Sequence, residues 1–121
     1  MEQVPTLQDI RAAAQAIAGI ALRTPLVHST LSGDVLLKLE SLQPTGAFKL
    51  RGALNAMSKL DDAQKACGVA CASTGNHGRA VAYAAKRQGI RATVCLSSLV
   101  PDVKVSAIEA LGAEVRRCGA T

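Results

Sequence analysis

The chain has 121 residues, is 49% hydrophobic, and carries 14 Lys and Arg against 9 Asp and Glu, a formal net charge of +5. That is room for one modest domain, too apolar for a disordered segment and long enough to bury a core without a disulfide or metal staple. With one Phe and one Tyr, the core must be built from Ala, Leu, Val and Ile, which suits helices packed on a parallel sheet.

The first predicted helix starts after Thr6, a candidate N-cap with Asp9 three residues on. Leu7, Ile10, Ala14 and Ile17 recur on one face, and Gly19 is placed to close the helix. Arg23-Thr24-Pro25-Leu26 is a breaker, Val35 to Leu39 reads as a strand, and Gln43-Pro44-Thr45-Gly46 as a turn. Residues 47–60 have helical composition, with Leu50, Leu54 and Met57 along one side. From Gly68 onward the pattern repeats: strand 69–72, helix 78–87, strand 92–96, helix 103–111, strand 113–116. Strands alternating with helices of about ten residues imply parallel pairing through right-handed crossovers, hence an α/β fold. The chain stops just after a strand, so a truncated fold is expected.

Composition also narrows the partners. The cations occur singly or in pairs, as in Lys86-Arg87 and Arg116-Arg117, with almost no aromatics on which bases could stack, so no nucleic-acid partner is expected. The N-terminus lacks a basic region followed by an apolar one, and the apolar stretch Ala12 to Leu22 is too short to cross a bilayer. No membrane partner is expected, and the predicted location is cytoplasmic. Cys67, Cys71, Cys95 and Cys118 form no C-x-x-C pair, and with only His28 and His77 no zinc spacing arises, so no metal site is expected. Cys71 and Cys95 fall in apolar strand runs and read as buried, reduced thiols.

Two places carry residues suited to chemistry. Lys49 lies within the first turn of a helix that Thr45 is placed to cap. The positive end of the helix, the apolar Phe48 and Leu50, and the neighbouring Arg51 all disfavour an ammonium there. An amine held neutral is what imine chemistry with an aldehyde requires, whereas the plain alternative is a solvated lysine. The second place is Ala72-Ser73-Thr74-Gly75-Asn76-His77-Gly78, between a strand and a helix. Glycines permit a tight turn, and successive N–H groups with two hydroxyls converge where a helix dipole begins: an anion cradle for a carboxylate or phosphate. It is neither a Walker loop nor a dinucleotide fingerprint. The alternative is an ordinary capped turn whose polar side chains only satisfy backbone donors, with His77 capping or packing.

Taken together, Lys38-Leu39-Glu40, then Gln43 to Ala53, then Ala72 to Gly78 resemble the fold-type II pyridoxal-phosphate enzymes, the tryptophan synthase beta-like class of open parallel sheets with flanking helices. Within that class the motifs are similar to the serine/threonine dehydratases, including those of hydroxyectoine breakdown. The resemblance runs from Thr24-Pro25-Leu26 to Leu111-Gly112-Ala113-Glu114-Val115. It implies a β-elimination of water from a small hydroxy amino acid, giving a keto acid and ammonia, with pyridoxal 5'-phosphate as electron sink. Lys49 would bind the cofactor covalently and then shuttle the substrate α-proton. Phe48 would pack beside the cofactor ring, and Asn76 would hydrogen-bond the ring hydroxyl. Ser73, Thr74, Gly75 and His77 would hold the substrate carboxylate.

Two departures from the family pattern stand out: Ala47 replaces a frequent serine, and Thr74 stands where some relatives carry a serine that protonates from the face opposite the lysine. His77 after Asn76 favours the dehydratases over cysteine synthases. β-Replacement or threonine-synthase-like chemistry on the same scaffold, and a non-catalytic remnant, are the alternatives. By the same resemblance, residues 1–64 would begin the large cofactor-binding domain and 65–121 the small α/β domain, both incomplete, of a protein that is a homodimer when whole. The family's phosphate-binding loop and pyridine-nitrogen partner would lie downstream, so these residues alone are expected to bind the cofactor poorly and not to turn over.

Overall fold

The computed structural model describes residues 4–31, 33–73 and 75–120. Helix α1 spans Leu7–Ala16, strands β1 and β2 span Leu26–His28 and Leu36–Lys38, and a single 3-10 turn covers Glu40–Leu42. Then follow α2 (Lys49–Met57), α3 (Asp62–Cys67), β3 (Val69–Ala72), α4 (Asn76–Gln88), β4 (Ala92–Leu96), α5 (Asp102–Glu109) and β5 (Glu114–Arg117).

Helix α1 begins as its sequence dictates. The Thr6 hydroxyl accepts from the Asp9 N–H at 3.2 Å, and the Asp9 carboxylate accepts from the Thr6 N–H at 2.8 Å, a reciprocal capping box. The helix ends at Ala16, and Gly19, at φ +76°, serves the turn beyond it rather than the cap itself. Helix α3 is an element the hydrophobic pattern did not disclose. Its signal is a second capping box, in which Asp61 accepts from the Gln64 N–H at 2.7 Å and the Gln64 side chain accepts from the Asp61 N–H at 3.0 Å.

The α/β expectation holds. β3, β4 and β5 form a parallel sheet in that order, with Val69 beside Ala92 and Thr93 beside Glu114 at the start of each ladder. β1 and β2 instead form a separate antiparallel pair in which Val27 faces Leu37. One core draws on both the 1–64 and the 65–121 segments: Leu50, Ala53, Leu54 and Met57 of α2 pack with Ala80, Val81, Ala84 and Ala85 of α4, with Val94 and Leu96 of β4, and with Val105 and Ile108 of α5. The many alanines of α4 bring the two helices and the sheet close together. Gly78 brings α4 closer still, because a Cβ there would lie 2.9 Å from Val94 Cγ1, inside van der Waals contact.

The thiols differ from expectation. Cys71 and Cys95 are half-buried rather than fully buried, and Cys67 and Cys118 are exposed. The register pairs Cys71 with Val94 and Ala72 with Cys95, so the two inner thiols point to opposite faces of the sheet. Burial pushes the Cys71 thiol above its ordinary range. Among the described residues, no helix is long and apolar enough to cross a membrane.

Candidate functional site

The turn between β3 and α4 is set by the sheet. The Ser73 N–H donates to the Cys95 carbonyl at 3.1 Å, extending the β3–β4 ladder, and the Ser73 hydroxyl accepts from the Gly75 N–H at 3.3 Å. Ser73 is therefore engaged within its own turn. Gly75 is the N-cap of α4, and the first intrahelical bond runs from the Arg79 N–H to the Gly75 carbonyl at 3.3 Å. The amides of Asn76, His77 and Gly78 thus form the positive first turn of a 13-residue helix, with Asn76 and His77 exposed. Thr74, expected to serve both catalysis and carboxylate binding, lies outside the described residues.

Lys49 is the first residue of α2, with Phe48 as the N-cap and no side-chain cap. Thr45 does not cap this helix: it is 1% exposed, and its hydroxyl has no hydrogen-bond partner among the described residues. The reason is geometric, since α2 begins four residues beyond Thr45, after a turn in which Gly46 adopts φ +73°. The surroundings of the amine also differ from expectation. Phe48 is 59% exposed rather than packed inside, and Lys49 Nζ sits over its ring, 5.2 Å from the centroid, at cation–π distance. Arg51 is not an unmatched cation, because it is paired with Glu40.

Helix packing brings the two places together. α2 lies along α4, so that Phe48, Lys49, Arg51, Gly52, Ala53 and His77 line one cleft of about 310 Å³. Gly52, Ala53 and His77 also border an apolar pocket of about 220 Å³ that runs between α2 and β3 past Met57 and Cys71. Among the expected site residues, Phe48, Lys49 and His77 therefore share a cavity. Ser73, Gly75 and Asn76 stand beside it through chain continuity with His77, and none of the three lines the cleft.

Behind Lys49 is a polar network that the sequence reading missed. Glu40 accepts from Arg51 Nε at 2.8 Å, Arg51 Nη2 at 2.7 Å, Thr24 Oγ1 at 2.5 Å and Gln43 Nε2 at 3.2 Å. Arg51 Nη2 also donates to the Leu22 carbonyl at 2.8 Å, and the Lys38 ammonium donates to the Thr24 carbonyl. The Arg51 guanidinium holds the Glu40 carboxyl down to about 2, well below 4.5, with Thr24 and Gln43 adding to the effect and burial opposing it. The available signal was a run of polar residues, Lys38, Glu40 and Gln43, spaced through an otherwise apolar stretch. Nothing in that spacing names their partners.

A family profile described as pyridoxal-phosphate dependent enzyme matches residues 17–121. The chain belongs to this pyridoxal-phosphate-dependent enzyme family. It is 52% identical over 121 residues to a Sinorhizobium fredii protein with the provisional name threonine dehydratase, a match covering 96% of this chain and 36% of that protein. With the serine racemase of Schizosaccharomyces pombe it shares 41% identity over 117 residues, 93% of this chain and 36% of the racemase. The solved structure of maize serine racemase superimposes with a TM-score of 0.91 at 36% identity, covering 98% of this chain and 38% of that one. The chain thus spans little more than a third of the length of these relatives.

The family's cofactor is pyridoxal 5'-phosphate, and the residues present fit it. Lys49 offers a primary amine that, among the described residues, takes part in no ion pair, and it opens onto a cleft with an imidazole on the neighbouring wall. An accessible amine is the functional group that captures an aldehyde. The adjoining α4 N-terminus favours an anion.

Proposed function

We propose that the full-length protein is a pyridoxal-phosphate-dependent ammonia-lyase that removes water from a small β-hydroxy amino acid such as serine or threonine. The observation that carries the reading is the meeting of Lys49 and His77 at one cleft, with the β3–α4 turn beside it. Lys49 would hold the cofactor, with Phe48 packing beside its ring and Asn76 hydrogen-bonding its ring hydroxyl. Ser73, Thr74, Gly75 and His77 take the substrate carboxylate at the positive end of α4. When bound, the cofactor supplies the sink for charge developing at the α-carbon. Lys49 Nζ takes the α-proton, the β-hydroxyl leaves as water, and hydrolysis exchanges the amino group for oxygen. The net products are a keto acid and ammonia. The 1–64 and 65–121 segments contribute to a large and a small domain respectively, and the whole protein is a homodimer.

The test is borohydride reduction of the full-length protein with pyridoxal phosphate, followed by peptide mass mapping. A label on Lys49 that disappears in Lys49→Ala supports the reading, and its absence from Lys49 sinks it. Keto-acid release from serine, threonine and a hydroxyectoine-derived amino acid then ranks the substrates. A second reading, racemisation at the same α-carbon, is favoured by the likeness to serine racemases. Chiral analysis of residual serine separates it from elimination.

A further inference from the structure

We propose that Glu40 and Arg51, braced by Thr24 and Gln43, are positioning residues that set the place of Lys49; this rests on the reading of Lys49 as the cofactor-binding amine. Helix α2 has no side-chain cap, and the turn before it swings on Gly46 at φ +73°. Its head is therefore held from elsewhere. Leu50, fully buried, fixes one side of the first turn. Arg51 fixes the other through three hydrogen bonds, two to the Glu40 carboxylate and one to the Leu22 carbonyl.

Glu40 is itself locked. It accepts from Thr24, 16 residues away, and from Gln43, which is 3% exposed and bridges the Leu22 N–H at 2.9 Å and the Leu22 carbonyl at 2.8 Å. Three separate stretches of chain, at Leu22–Thr24, Glu40–Gln43 and the head of α2, are cross-tied at one carboxylate. Lys49 directly precedes the two anchored residues, Leu50 and Arg51, and is exposed on its cleft, so its backbone position is inherited from them. A two-pronged guanidinium–carboxylate pair fixes direction as well as distance, which a lysine in the same place does not do. Misplacing a reacting group by about 1 Å can cost roughly 100-fold in rate.

The experiment uses the full-length protein and follows pyridoxal phosphate attachment to Lys49 by cyanoborohydride trapping and peptide mass mapping, with rates normalised to folded protein by circular dichroism. E40Q and R51Q should each slow attachment by about 10- to 100-fold, and the double variant should be no slower than the slower single, because both remove one device. R51K, which keeps the charge but loses the fork, should remain slow. V105A, a core truncation in α5 remote from the network, should lower the melting temperature and leave the attachment rate unchanged. Should R51Q fail to fold, R51K and E40D, which retain both charges, carry the test. Attachment at the wild-type rate per folded molecule in the network variants overturns the proposal, as does equal slowing by V105A. No label on Lys49 in the wild type overturns the Lys49 reading and this inference with it.

Discussion

Gly78→Ala separates two physical effects by sign. In an exposed helix interior this change stabilises by about 1 kcal/mol, because alanine is the better helix former. At position 78 the new methyl would meet Val94 Cγ1 at 2.9 Å, the Ser73 carbonyl oxygen at 3.4 Å and Ile108 Cδ1 at 3.5 Å. Carbon atoms rest at about 3.5–4.0 Å, so α4 must move away from β4 by at least half an ångström or Val94 must leave its rotamer. Overpacking of this kind costs about 1–3 kcal/mol. Set against the propensity gain, the expected result is a net loss of up to about 2 kcal/mol. Gly52→Ala supplies the contrast. Gly52 lies within α2, and a Cβ there meets nothing within 4 Å, so the same substitution should gain about 0.5–1 kcal/mol. Urea unfolding followed by circular dichroism measures both. With a slope of about 1–3 kcal/mol per molar, the two midpoints should move apart by about 1 M. Adding Val94→Ala should relieve the clash, so that the double variant is more stable than the sum of the singles by roughly 1 kcal/mol. A Gly78→Ala protein stabilised as much as Gly52→Ala would refute the claim that this glycine sets the distance between α4 and the sheet.

The Glu40 network should give acid sensitivity with a defined window. Since the carboxyl is held near 2 in the folded protein against 4.5 in the unfolded chain, its contribution is complete above pH 4.5 and disappears as the pH falls toward 2. The stability difference between wild type and E40Q, at most about 3 kcal/mol, should shrink across that interval in urea titrations and stay constant above it. Thr45→Val removes a buried hydroxyl that has no partner among the described residues and should be neutral or stabilising by up to about 1 kcal/mol. A melting temperature several degrees lower would show that the hydroxyl is bonded after all.

Local signals proved legible wherever they were self-contained. Thr6 and Asp9 cap α1 as their spacing foretells, and the strand pattern at 69–72 and 92–96 coincides with β3 and β4. The capping box at Asp61 and Gln64 was equally local, but it falls in a stretch without apolar periodicity, so hydrophobic pattern alone passed over α3. The Thr45 cap failed for the opposite reason. Residue type and spacing were suitable, yet the tertiary fold buries that side chain and starts the helix four residues later.

The sequence by itself determined the family, the α/β class and the two chemical segments, because each rests on residues adjacent in the chain: the lysine motif around Lys49 and the turn from Ser73 to Gly78. Only the tertiary structure decided that Lys49 and His77 share a cleft, that Arg51 is matched by Glu40, and that Thr24 and Gln43 brace that pair. Apart from Gln43 and Glu40, three positions apart, the residues so joined lie 11 to 28 positions apart in the chain. A local motif records what each residue can do. Which residues meet is set by how closely α2, α4 and β4 pack, and that closeness depends on side-chain volumes scattered along the chain, down to the missing methyl of Gly78.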